Sequence, residues 1–271
     1  MQHFYKPLAF LLFLSCQNAS TDISTVKPAE DAIQIPDSIL KEHLVNGAWK
    51  HPLYSREWDE EINKGLAKDS TIAYLWQQKS MPMFKQGKYE LGMPYVDKAV
   101  KYDRARWQPY RAYIKCIFAK TYQAAITDFG DCKKRFGNTV VMDHSYNFYI
   151  ALCRLQLNQF ALAEELLQKE VSDQAAKHGE EWVHHLDLFY LGICQYEQKK
   201  YDKAYVSFER SLKQYPQLSH ANYYKSLCLK KLGKEEDAAQ LMAVAKKYAK
   251  EGYGFTDDGA RYERYPYQVR W

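Results

Sequence analysis

The sequence predicts an all-α protein, a right-handed α-solenoid of about five to six helix–turn–helix repeats. Two observations lead to this prediction. Small and large apolar residues alternate at helical spacing in residues 188–216 (LFYLGICQYEQKKYDKAYVSFERSLKQYP). The same alternation returns at intervals of about 34 residues with two longer gaps, and such a period is typical of stacked repeats. The units begin near Ala73, Arg106, His144, His185 and Ser219.

The unit in residues 188–216 shows the pattern most completely. Leu188 and Gly192 belong to its first helix, Ala204 and Phe208 to its second, and Pro216 ends it. This pattern resembles the tetratricopeptide repeat, a helix–turn–helix unit of about 34 residues. The resemblance implies that small residues lie where two helices cross closely and that large residues fill the gaps around them. Because one unit cannot bury its apolar face alone, it also implies neighbouring units.

Residues 1–16 (MQHFYKPLAFLLFLSC) resemble a bacterial lipoprotein signal peptide. Lys6 precedes the apolar run Leu8–Leu14, which is too short to span a bilayer and ends just before Cys16. The resemblance implies cleavage before Cys16, lipidation of that cysteine, and export to the bacterial cell envelope. Gln17 in place of an aspartate favours the outer membrane. The alternative is an ordinary secretory signal that happens to contain a cysteine.

The rest of the chain divides by composition. Residues 17–38 are rich in Ser, Thr, Asp and Pro, which predicts a flexible tether. Residues 39–72 read as a degenerate N-terminal capping repeat, in which Ser55 caps a helix that carries Trp58 and Ile62. Residues 73–250 form the predicted solenoid. Two prolines inside its first unit, Pro82 and Pro94, are expected to kink or shorten their helices.

Two units carry insertions. Residues 135–143 contain Gly-Asn and Asp, which favour turns, and residues 172–184 suggest a longer helix followed by a loop at Gly179. Insertions between repeats often lie on one face of a solenoid.

The last stretch, residues 251–271, is rich in aromatic side chains and contains Gly, Pro and an Asp-Asp-Gly turn. It is too aromatic for a disordered tail. We favour a cap over the last helix, because solenoids need closed ends. The alternative is a segment that lies in the concave groove. The aromatic residues are Tyr253, Phe255, Tyr262, Tyr265, Tyr267 and Trp271.

Nothing in the sequence indicates catalysis, a metal site or a cofactor. The chain has no phosphate-binding glycine loop, nucleophile elbow or HExxH motif. His178, His184 and His185 lack companions at ligand spacing, and the Glu180-Glu181 and Asp257-Asp258 pairs are expected to face solvent. The net charge of +5 comes from basic residues interleaved with acidic ones, so nucleic acid is not expected as a partner.

Five cysteines follow Cys16, and four of them recur at one helical position of the repeat. Recurrence at a core position indicates packing, and the absence of a CxxC pair argues against zinc or a disulfide framework. If a disulfide did form, Cys153 and Cys194 would be the first candidates. The five are Cys116, Cys132, Cys153, Cys194 and Cys228.

Helical periodicity places aromatic side chains on the groove face of the first helix in successive units. Gln77 and Met81 share that face in the first unit. The alternative is that about half of these residues belong to the core between repeats. The predicted partner-binding residues are Tyr110, Phe148, Phe189, Tyr196, Tyr223 and Lys230.

The sequence therefore predicts a membrane-anchored scaffold that binds a protein or peptide partner through an aromatic groove and has no enzymatic activity. The alternative function is that of a carbohydrate-binding accessory lipoprotein, because aromatic-lined troughs also stack sugars.

Overall fold

A computed structural model describes residues 38–271. The predicted signal peptide, the lipidation site Cys16 and nearly all of the tether lie outside the described residues. Among the helices of residues 38–271, none combines the length and apolar character needed to cross a membrane.

The predicted all-α repeat architecture is confirmed. The N-terminal part consists of α1 (Ser38–Leu40), which continues into a π-helical segment (Lys41–Val45), a 3₁₀ turn (Ala48–Lys50) and α2 (Arg56–Lys68). Five packed helix pairs follow. They are α3 (Ala73–Lys85) with α4 (Tyr89–Tyr102), α5 (Arg104–Tyr113) with α6 (Tyr122–Phe136), α7 (Tyr146–Gln156) with α8 (Phe160–His178), α9 (His185–Glu197) with α10 (Tyr201–Gln214), and α11 (Ser219–Lys231) with α12 (Glu235–Lys250). Three of the five predicted unit starts coincide with the first residue of a helix.

The first helices of the pairs stack beside one another, and each second helix packs on its own partner. A π-helical segment, Ile114–Phe118, extends α5. At the end of the first insertion, two short strands, β1 (Val140–Val141) and β2 (His144–Ser145), pair in antiparallel register. The second insertion lengthens α8 to His178 and turns at Gly179, as expected. A 3₁₀ turn (Glu180–Trp182) follows it, and α13 (Asp258–Tyr262) lies near the C-terminus.

Small residues allow the two helices of a pair to cross closely, as the repeat pattern predicted. A Cβ atom placed on Gly192 of α9 would lie 2.6 Å from the ring of Phe208 in α10. The reverse arrangement occurs in the first pair, where a Cβ on Gly92 of α4 would lie 2.5 Å from the ring of Phe84 in α3. Ala204 is fully buried at the α9–α10 crossing.

The N-terminal part caps the stack with a core of its own. Leu44 of the π-helical segment and Ile62 of α2 pack with Leu75 of α3, so this core is continuous with the first helix pair. The Ser55 hydroxyl accepts a hydrogen bond from the Trp58 amide over 3.2 Å, which confirms the predicted helix cap.

The prolines do not shorten their helices, which leaves a kink as the part of the expectation that stays a prediction. Pro82 lies inside α3 and Pro94 inside α4, and these helices contain 13 and 14 residues, the same lengths as α9 and α10. A proline removes one backbone donor and crowds one carbonyl. Here the packing of the pair outweighs that local cost.

The five described cysteines are buried and free, as the packing interpretation requires. Cys116 donates a weak hydrogen bond to the Tyr149 carbonyl over 3.7 Å. Burial raises the pKa of Cys116 well above its ordinary value, and contact with the Cys153 thiol raises it further. Cys116 is therefore in contact with Cys153, and the preference for a Cys153–Cys194 pair, should a disulfide form, stays a prediction.

We expect all five thiols to react with an alkylating reagent in unreduced, denatured protein and to be protected in the native state, because they are free and buried. Intact-mass spectrometry counts the adducts, and a pre-reduced sample gives the full number. Two fewer adducts without reductant would contradict the packing role and would point first to the Cys116–Cys153 pair.

Candidate functional site

One side of the stack is formed by the first helices of the five pairs, α3, α5, α7, α9 and α11. We call this side the first-helix face. The C-terminal segment, residues 251–271, lies along this face. It contacts Lys120 beyond α5, His144 before α7, Tyr190 in α9 and Tyr223 in α11. The segment therefore does more than cap the last helix, and these contacts agree with the alternative of a segment that lies in the groove.

The segment enters the face through an aromatic contact. The ring of Phe255 lies 4.6 Å from that of His220, 5.4 Å from Phe189 and 6.2 Å from Tyr190, measured between ring centroids. These three rings come from α9 and α11. Edge-on and tilted ring contacts of this kind stabilise packing beyond the area they bury.

Two residues later, the segment places a carboxylate in the interior. His144 Nε2 donates to Asp257 Oδ2 over 2.9 Å, and the two side chains are only 2% and 5% exposed. The ring of His184 lies 4.8 Å from that of His144. Burial alone would raise the pKa of Asp257, but the hydrogen bond from His144 and the electrostatic interaction with the neighbouring histidines outweigh it and lower the pKa. An ionised carboxylate is thus held by residues that both insertions bring to the face.

Further contacts hold the segment beyond Asp257. A Cβ on Gly259 would overlap the Tyr113 hydroxyl, so only glycine allows α13 to approach α5 this closely. The Tyr190 hydroxyl donates to the Pro266 carbonyl over 2.8 Å. Tyr265 is buried, and the ring of Tyr267 lies 6.2 Å from that of Tyr224.

Next to α13, the face contains an open pocket of about 450 Å³. Its walls are apolar and aromatic, with Lys85 and Asp258 as charged groups. The Lys85 ammonium lies 3.6 Å from the ring centroid of Tyr262, a side chain that is 67% exposed. Residues that form the walls include Met81, Tyr89, Tyr110, Phe118, Met142 and Tyr262.

The predicted groove residues fall into two groups. Phe148 and Phe189 are completely buried, so no partner reaches them in this structure, and they belong to the core as the alternative interpretation held. Tyr110 is half-buried and lines the pocket together with the predicted Gln77 and Met81.

The remaining three predicted residues lie towards the C-terminal end of the stack. The ring of Tyr223 lies 5.6 Å from Trp271 of the C-terminal segment. Tyr196 packs against Tyr201 and Tyr224, and Lys230 is exposed near the end of α11. Whether any of them binds a partner stays a prediction.

Sequence reasoning missed Tyr113, Met142 and Tyr262 as residues of the pocket. Met142 comes from the first insertion and Tyr262 from the aromatic C-terminal stretch, both of which stood out in the sequence. Within residues 38–271, no cluster of three or more histidine, cysteine or acidic side chains has the geometry to hold a metal ion.

Three histidines, the half-buried His184 and His185 and the buried His220, make the fold sensitive to mild acid. Burial lowers the pKa of His184 to about 3 and those of His185 and His220 to about 4, from an ordinary value of 6.5. The unfolded chain therefore takes up protons near pH 6.5 that the folded chain does not. Above this pH these histidines do not change the free energy of unfolding. Below it, the free energy of unfolding falls as the pH decreases. Asp187 acts in the opposite sense, because burial raises its pKa to about 6.

We expect the free energy of unfolding to fall by up to about 3 kcal/mol per pH unit between pH 6 and 4.5, since three histidines outweigh one aspartate and each proton contributes about 1.4 kcal/mol per unit. Urea denaturation at a series of pH values measures this slope. Equal stability at pH 7 and pH 5 would show that these imidazoles are not buried as neutral groups.

Comparison with known proteins agrees with the repeat architecture. The tetratricopeptide repeat model matches residues 185–218, the unit whose pattern is most complete. MamA from Desulfovibrio magneticus superimposes with a TM-score of 0.55 at 14% identity, covering 66% of this chain and 96% of MamA. A tetratricopeptide repeat protein from Parabacteroides merdae gives a TM-score of 0.60 at 14% identity, covering 79% and 78% of the two chains.

A third structure, YrrB, is described as a tetratricopeptide repeat protein with an unusual peptide-binding site. It gives a TM-score of 0.51 at 17% identity and covers 71% of this chain and 94% of YrrB. At these identities the likeness concerns the fold alone. A comparison with curated proteins finds none that matches this chain.

Proposed function

We propose that this protein is a membrane-anchored scaffold that binds an extended segment of a partner protein on its first-helix face. The pocket beside α13 is the part of that face open to the partner. In this proposal Cys16 carries the lipid and holds the protein at the outer membrane, and the role is binding rather than catalysis.

One observation supports the proposal above all others. The first-helix face already binds a stretch of polypeptide, the chain's own C-terminal segment, through a ring cluster around Phe255 and a buried hydrogen bond at Asp257. Peptide recognition by helical repeats uses such surfaces, on which aromatic anchors contribute much of the binding energy. The peptide-binding site named for YrrB is consistent with this use of the fold.

The pocket has the character of an anchor site. Its walls are mostly apolar, and the few polar groups lie where they can fix the orientation of a bound side chain. Gln77 Nε2 donates to the Tyr110 hydroxyl over 3.4 Å, and Lys85 stands at the rim. A large apolar or aromatic side chain of the partner fits this arrangement.

The first insertion supplies a matched pair of test positions. Met142 is 46% exposed and lines the pocket, whereas Val140, on the same hairpin, is 42% exposed and does not. We expect Met142→Glu to reduce capture of the partner at least tenfold, because it places a charge in an apolar wall. Val140→Glu should leave capture unchanged, and neither variant should alter the melting temperature by more than about 2 °C.

The experiment immobilises the full-length protein and both variants and quantifies captured cell-envelope proteins by mass spectrometry. A glycan array probed with the same three proteins tests carbohydrate binding. Equal capture by all three proteins would refute the pocket as the partner site. Glycan binding that Met142→Glu abolishes would favour the carbohydrate-binding alternative instead.

A further inference from the structure

Building on the proposed function, we propose that the C-terminal segment is a displaceable internal ligand of the first-helix face. Its partner is then an extended segment in which an aromatic residue is followed two positions later by an acidic one. The partner competes with residues 254–271 for the same contacts, so the free protein is held in an occupied, autoinhibited state.

The contacts of the segment define the chemistry that the face accepts. At the first position, the rings of Phe189, Tyr190 and His220 surround that of Phe255. At the second, Asp257 receives a buried hydrogen bond from His144 over 2.9 Å. A partner with one residue between its aromatic and its acidic residue matches the spacing of these two subsites.

A second acidic contact follows further along. Glu263 Oε1 lies 2.8 Å from the Lys120 ammonium, and Lys85 stands over the neighbouring Tyr262. Along this path the face contacts the segment's two carboxylates through His144 and Lys120, and its Tyr262 ring through Lys85. Charge complementarity thus favours a partner that is both acidic and aromatic.

The anchoring of the segment is uneven, which allows exchange to begin at one point. Phe255 contacts buried rings and Asp257 is itself buried, whereas Tyr262 is mostly exposed and Glu263 is held by a partly exposed ion pair. Exposed ion pairs contribute little to stability. The region around α13 is therefore the part that opens most readily, and the open pocket adjoins it.

The pocket gives an incoming segment a place to bind before the internal one has left. Asp258, Gly259 and Tyr262 form one of its walls, so a ligand in the pocket touches the internal segment directly. A partner that binds there and then takes the Phe255 and Asp257 subsites would replace the segment step by step.

A peptide taken from the segment itself tests this inference on the wild-type, full-length protein. The octapeptide GYGFTDDG, which corresponds to residues 252–259, contains no lysine or arginine and so resists trypsin. Saturating peptide should increase the rate of tryptic cleavage after Arg261 and Arg264 by about tenfold, because displacement exposes the backbone there. Cleavage after Arg56, which is exposed in α2, serves as the internal reference and should not change.

A control peptide carries the equivalents of Phe255→Ala and Asp257→Asn and should leave all cleavage rates unchanged. Fluorescence anisotropy of labelled GYGFTDDG gives the affinity directly. The variant Glu263→Gln, which removes a surface contact of the internal segment, should bind the peptide at least threefold more tightly than wild type. Arg261→Gln, two residues away on the exposed side of α13, should bind like wild type.

Unchanged cleavage after Arg261 and Arg264, or no binding up to about 1 mM peptide, would overturn the inference. Equal binding of GYGFTDDG and its control peptide would overturn the aromatic–acidic preference. Concentration-dependent dimers that require Phe255 would identify a second copy as the occupant and would also overturn it. None of these assays uses the natural partner. If the peptide displaces the segment but partner capture does not depend on Met142, only the proposed function is refuted. If capture depends on Met142 but the peptide does not displace the segment, only this inference is refuted.

Discussion

Replacing Phe189 with alanine should lower the free energy of unfolding by about 3–5 kcal/mol, the range observed when a buried phenylalanine is truncated. Phe189 is fully buried, and its ring lies within 6 Å of the rings of Phe208, Tyr224 and Phe255. The substitution would leave a cavity where α9, α10, α11 and the C-terminal segment meet. Urea denaturation followed by circular dichroism measures the change.

Tyr54→Ala is the matched control, because Tyr54 is a large aromatic residue that is mostly exposed. It should change the free energy of unfolding by less than about 0.5 kcal/mol. If Phe189→Ala were as stable as this control and still lost its partner, Phe189 would be a binding residue, and its burial in the free protein would not describe its role.

Replacing Gly192 with leucine should destabilise the fold by about 3 kcal/mol, at the upper end of the range for overpacking. Even the first added carbon would lie 2.6–2.9 Å from three atoms of the Phe208 ring, and Phe208 is itself fully buried. The ring cannot move without disturbing α9 and α10 together. Thermal melts and urea denaturation both report this loss.

Gly130 provides the opposite case within the same fold. It lies inside α6, and a Cβ atom there would meet nothing within 4 Å. Gly130→Ala should stabilise the protein by about 0.5–1 kcal/mol, because alanine favours the helix and reduces the entropy of the unfolded chain. Equal effects at Gly192 and Gly130 would contradict the close crossing of α9 and α10.

The sequence was most informative where structure depends on local period and residue size. Gly192 and Ala204 mark a helix crossing because the repeat returns several times, so each weak signal is reinforced by its equivalents. Cysteine at one helical position indicated packing for the same reason, and all five described cysteines are buried.

The sequence was least informative about which side of a first helix meets a partner. In α9 every residue from Leu186 to Gln195 is buried, since the helix packs against its pair, its neighbours and the C-terminal segment. A helical period of apolar residues indicates one buried face and one exposed face. Phe189 was therefore predicted to line the groove, but the C-terminal segment already fills the groove at this point.

The position of the C-terminal segment could not be derived from local pattern. His144 and Asp257 are 113 residues apart, and no residue near either of them in the sequence indicates that they pair. The Asp-Asp-Gly turn and the aromatic content indicated that this stretch is ordered. Where it lies depends on long-range contacts with residues from both insertions.

Hydrogen–deuterium exchange of the full-length protein, with and without GYGFTDDG, tests the central claim most directly: that the first-helix face is a peptide-binding surface and that the C-terminal segment occupies it. In the free protein, amides of residues 255–267 should be protected. On addition of peptide they should exchange at least tenfold faster, while α9 remains protected because the face stays covered. Unchanged exchange in residues 255–267 at saturating peptide would contradict the account.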